Sequence, residues 1–179
     1  MTSGAFTLIR LAMPQRAPDE DPSTSRLGPE GIAAARQLSS LVPHDTYVVA
    51  SPEPKASATA LLITGREPVL DLRLSEVARP SRWNTLHRRH VRRYLSGHYV
   101  TGWEDQEAVV GRVGDALADH RDRAGQQRLV VVGHGISAAL WVATTLGLDA
   151  VRWWTSLHIS DAWDIDLTSL CARRIEAGG

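Results

Sequence analysis

Three short runs of nearly uninterrupted apolar residues, at 6–9, 47–49 and 129–132, constrain this chain more than any other feature. A strand with one wet face alternates apolar and polar side chains, so runs without alternation must be covered on both faces. The segments between them carry helical periodicity. Residues 29–41 place Ile32, Ala35 and Leu38 on one face, with Pro29 suited to the first turn. A second helix is predicted from Ser51 as cap and Pro52 as first residue to about residue 63, with Gly65 as a stop. A third covers 105–123. A fourth, 136–146, carries Ile136, Ala139, Leu140 and Ala143 on one stripe and is followed by Gly147.

Strands and helices alternating in this way predict an α/β chain, a three-layer α/β/α sandwich with a mostly parallel central sheet. Residues 69–72 read as a further strand, and 162–167 alternate apolar and acidic residues as a late, half-exposed edge strand would. Residues 14–28 and 79–102 fit neither pattern and are long enough to be functional loops or insertions.

At 179 residues and 43% hydrophobic, the chain can bury one full core, so a single domain over 1–179 is expected, with a basic insertion at about 79–103. Twenty Lys+Arg balance 20 Asp+Glu, which argues against a nucleic-acid partner. The lone Cys171 forms no internal disulfide, and no Cys/His spacing suits a metal. The first residues lack the charged head and apolar stretch of a signal peptide, and no apolar run reaches the roughly 20 residues of a membrane span. A cytoplasmic protein without a membrane partner or cofactor is therefore expected.

In open parallel sheets, ligands bind beyond the carboxyl ends of the strands. The first strand ends at Arg10-Leu11, and the second at Ala50-Ser51 with Lys55 one helical turn on. The strand at 69–72 leads to Glu76, and the run at 129–132 leads to Gly133-His134-Gly135. A guanidinium, an ammonium, an imidazole and helix N-terminal amides together suit an anion, most naturally phosphate.

Leu8-Ile9-Arg10, Leu27-Gly28 with Gly31, Val49-Ala50-Ser51-Pro52 with Lys55-Ala56 and Thr59-Ala60, Leu74 with Glu76, and Val131-Val132-Gly133-His134-Gly135 are similar, in order and spacing, to the landmarks of the histidine phosphatase (phosphoglycerate mutase-like) superfamily. The resemblance spans essentially the whole chain. It implies a site in which a histidine nucleophile is phosphorylated, two basic side chains and a second histidine surround the phosphate, and a carboxylic acid protonates the leaving group. On this resemblance Arg10 matches the arginine of the opening Arg-His-Gly motif, Lys55 stands where most members have arginine, Glu76 matches the proton donor and His134 the second histidine. Ala12 replaces the motif glycine, and Leu11 occupies the position of the nucleophile.

Leucine has no lone pair to direct at phosphorus. Three consequences stay open. The chain is a non-catalytic pseudophosphatase that still binds an anion, a repurposed enzyme using Glu76 and His134 for acid–base chemistry on an anionic small molecule, or a conventional phosphomonoesterase with residual activity. An engineered change at the nucleophile of such an enzyme is a fourth reading. Loss of a covalent nucleophile costs several orders of magnitude in rate, which ranks the first two above residual activity.

The insertion holds Arg79, Arg82, Arg88, Arg89, Arg92 and Arg93 with His87, His90 and His98 and no acid. Most of these read as a solvated helix face balanced by Glu104, Asp105 and Glu107; Arg79 and Arg82, nearest Glu76, are candidate ligand contacts. Ser51 joins the candidate anion-binding set, and Trp103 is a candidate for stacking on a ligand. Trp141 reads as core. Trp153 and Trp154 are adjacent and must face different ways, which leaves one of them for a pocket rim or a homodimer contact.

Overall fold

The structure is a computed structural model that describes residues 4–15, 21–80 and 86–175. Its elements run β1 (Ala5–Arg10), α1 (Pro29–Leu38), β2 (Thr46–Ala50), α2 (Pro54–Thr64), β3 (Val69–Leu70), α3 (His87–Leu95), α4 (Gln106–Ala124), β4 (Arg128–Gly133), α5 (Gly135–Leu146), α6 (Ala150–Ser156), β5 (Ala162–Asp166) and β6 (Cys171–Ile175). The strands form one sheet in the order β3-β2-β4-β1-β5-β6. β3, β2, β4 and β1 are parallel, and β5 and β6 are added antiparallel on the β1 side.

The apolar runs are buried on both faces, as their lack of alternation requires. Phe6, Leu8, Leu129 and Val131 point to one core with residues of α3, α4, α5 and α6. Ile9, Val48, Ala50, Val130 and Val132 point to the other, with Leu38 of α1 and Ala60 and Ile63 of α2. The first core is the larger, and within it Phe6 packs on Trp141 at a ring separation of 6.0 Å. No helix among the described residues is long and apolar enough to cross a membrane.

Several elements differ from the sequence reading. The strand at 162–166 lies inside the sheet between β1 and β6; the edge belongs to β6, whose Cys-Ala-Arg-Arg-Ile sequence carries too little apolar pattern to be read as a strand. Residues 69–72 contribute only a two-residue strand. α1 ends at Leu38 and continues as a 3-10 turn, Ser39–Leu41. α2 begins at Pro54, with Glu53 and not Ser51 at its cap position, so the proline in its first turn is Pro54. The described part of the basic insertion contains α3, and α6 carries the paired tryptophans. Gly65 and Gly147 do end their helices, each in the left-handed conformation that costs glycine least.

Register brings the strand ends level. Arg10 lies opposite Gly133, and Ala50 opposite Val132. Beyond them the backbone continues the ladder, with Leu11 N–H donating to Gly133 O at 3.0 Å and Ser51 N–H to Val132 O at 3.1 Å. α1 and α2 cover one face of the sheet and α5 the other, which opens a crevice at these ends. The segment after β1 is pinned from the α2 side, where Ala12 N–H donates to Thr59 Oγ1 at 3.1 Å.

α1 approaches this segment so closely that a Cβ on Gly31 would lie 2.1 Å from Met13 O. Neither backbone can yield without disturbing the start of the crevice. Gly31→Ala is expected to lower stability by about 1–3 kcal/mol, as overpacked substitutions do. A shift of the urea midpoint at unchanged slope checks this.

Candidate active site

A cavity of about 130 Å³ opens at the level strand ends, lined among others by Arg10, Leu11, Lys55, Glu76, Arg79 and His134. Six of the residues singled out from the sequence therefore meet in one place. Arg10 reaches it from the last residue of β1. Its Nη1 donates to Leu157 O at 2.9 Å, and a Cβ on Gly135 would lie 3.1 Å from its Nε, so glycine there leaves room for the guanidinium. Burial lowers the pKa of Arg10, and the carboxylates of Glu76 and Asp161 counter that effect. Leu11, 7% exposed, forms part of the wall.

The remaining sequence candidates lie elsewhere. Ser51 is fully buried and does not line the cavity; its Oγ lies 2.8 Å from His134 Nε2 and accepts from Glu53 N–H at 3.3 Å, which positions the imidazole. Trp103 does not line this cavity. It packs against Tyr94 at 5.0 Å and His87 at 6.4 Å, with the Arg79 guanidinium 5.8 Å from its ring centre, and borders a neighbouring basic groove. Arg82 lies outside the described residues. Of the two adjacent tryptophans, Trp153 is core and Trp154 lines the cavity.

Glu53 is the group that sequence reasoning missed. One carboxylate oxygen, Oε2, pairs with Lys55 Nζ at 2.7 Å. The other, Oε1, lies 3.3 Å from His134 Nε2 and accepts from Glu76 N–H at 2.9 Å. Lys55 Nζ also donates to Pro22 O. An acid two residues before the only lysine of the chain was the available signal, masked because glutamate at a helix start is ordinary.

The helix amides are also not open. Ile136 N–H and Ser137 N–H, at the start of α5, donate to Glu76 at 3.2 and 2.9 Å, and Val77 N–H donates to it at 3.0 Å. The positive end of α5 is thus already satisfied by a carboxylate from about sixty residues upstream. Burial works against the charge of Glu76, but His134, Arg79 and the backbone donors outweigh it and hold the pKa down at about 2. Burial lowers His134 below its ordinary value, and Glu76 and Glu53 counter this only in part.

The family model for the histidine phosphatase superfamily (branch 1) matches residues 18–178. The chain belongs to the histidine phosphatase superfamily. The match begins after β1 and so does not include residues 10 and 11. Solved structures share the fold of this superfamily member. A phosphoserine phosphatase mutant from Entamoeba histolytica, crystallised with phosphoserine, is 17% identical with a TM-score of 0.75, over 96% of this chain and 95% of that one. A mycobacterial glucosyl-3-phosphoglycerate phosphatase is 18% identical with a TM-score of 0.74, over 95% and 96%. A Thermus thermophilus protein is 24% identical with a TM-score of 0.66, over 90% and 93%. No curated protein sequence matches this one.

The ionised Glu76 joins the cavity to the fold of this superfamily member. A carboxylate with a depressed pKa contributes stability above the ordinary glutamate range near 4.5, and that contribution is lost as pH falls toward about 2. Glu76→Gln is expected to lower stability at pH 7 and to make the loss between about pH 4.5 and 2 shallower. Urea denaturation of both proteins across that range checks it.

Proposed function

We propose that this superfamily member is a pseudophosphatase: it receives the anionic end of a small molecule among Arg10, Lys55 and Arg79 and forms no phosphohistidine. Leu11 carries this reading. It belongs to the cavity wall at the end of β1, on the residue that the resemblance puts in the nucleophile's place. An isobutyl group offers no lone pair for in-line attack and no polar contact to a phosphate oxygen. The basic side chains around it still suit an anion. Two of the structures sharing the fold are named for acting on phosphoserine and glucosyl-3-phosphoglycerate, both anionic, which supports the same general class of ligand here.

The protonation states weigh against a repurposed acid–base enzyme. Glu76, held ionised, can take up a proton but is not poised to deliver one at neutral pH, and burial disfavours the imidazolium that His134 would need to act as an acid. Protonating Glu76 would weaken its hold on three backbone N–H groups. Binding without turnover is the simpler use of such a site.

The test uses p-nitrophenyl phosphate at neutral pH. Nitrophenol release is expected to stay at the level of Glu76→Gln, with no acid-labile phosphoryl group on the chain by mass spectrometry. Arg10→Ala is expected to weaken small-anion binding about tenfold, as loss of a charge-assisted contact does. Turnover that Glu76→Gln abolishes would overturn the proposal.

A further inference from the structure

The charges around the cavity are more evenly matched than its basic residues alone suggest. Arg10, Lys55 and Arg79 contribute three positive charges, and Glu53 and Glu76 remove two. Burial disfavours a charge on His134, and Asp161 beside Arg10 is paired with Arg174 at 3.1 Å. Arg88 lies over Trp154 at 5.9 Å and Asp21 acts on Lys55 and Arg79, but these two opposite charges are both exposed and screened by solvent. A buried anion with one negative charge balances this set, whereas a dianion leaves one charge uncompensated in a poorly solvated place.

Glu53 decides that balance. Its side chain is 11% exposed and that of Lys55 is 9% exposed, so the two form a shielded pair in which Lys55 lines the cavity and Glu53 lines the adjoining cleft. The carboxylate touches Lys55 Nζ, His134 Nε2 and Glu76 N–H, three groups at the edge of the space a ligand would fill. Glu76 cannot readily relieve the excess by taking up a proton, because three backbone donors favour its ionised form.

We infer that Glu53 is a built-in counter-anion that makes the cavity select a ligand whose buried end carries a single negative charge, such as a carboxylate, sulfonate or phosphate diester, over a phosphate monoester dianion. The inference rests on the anion-pocket reading and adds the charge class of the ligand. It makes Glu53 a specificity-determining residue acting through Lys55 and His134.

Sulfate and methanesulfonate test it, because both are tetrahedral and their charges, two and one, do not change near neutrality. Titrations followed by amide chemical shifts around the cavity are run at about pH 8, above the ordinary imidazole range. Charge attraction alone favours sulfate. The wild-type protein is expected to bind methanesulfonate about tenfold more tightly, and Glu53→Gln to reverse the order; Glu53→Ser repeats the test should the amide fold poorly. A wild-type preference for sulfate, or a ratio unchanged by both variants, overturns the role of Glu53 and leaves the anion pocket standing. No shift with either anion in any of the proteins overturns both.

Discussion

Burial of the central strands on both faces governs the architecture of this molecule. β1, β2 and β4 cannot leave either side to water, so helices must cover both, and the chain must leave the sheet in opposite directions at neighbouring strand ends. The crevice is a product of that routing. Arg10 and His134 reach it because the register sets the strand ends level, Ser51 stays buried against His134, and Lys55 comes next on the first turn of α2.

Inside the crevice, carboxylates restrain the cations. Glu53 holds Lys55 and approaches His134, while Glu76 takes the amides that begin α5. An arrangement built from basic residues alone would draw any anion strongly. With two partly buried acids in place, the proposed selectivity follows: the size of a ligand's charge counts beside its shape. Leu11 adds an apolar wall where the resemblance places an attacking atom.

The fold was legible because its strongest signal, apolar runs without alternation, comes from burial itself. Where burial is partial the signal fades: β6 presents arginines and an exposed cysteine, and its pairing puts the neighbouring 162–166 strand inside the sheet. The site was legible as a set of strand-end residues, but not as a set of partners. Ser51 looks like a helix cap in sequence and is a support for His134 in space, because α2 starts at Pro54 and leaves Ser51 at the buried strand end. Helix amides at the start of α5 could be foreseen, yet no local pattern tells that Glu76 fills them. Such pairings join residues far apart in the chain and depend on the angle at which elements pack.

The attachment of Glu76 to α5 has a mechanical side. A guest that drew this side chain toward itself would have to unfasten the first turn of the helix leaving β4, and the effort would spread along that helix into the Phe6–Trp141 packing. The same carboxylate thus lines the crevice and fastens the first turn of α5.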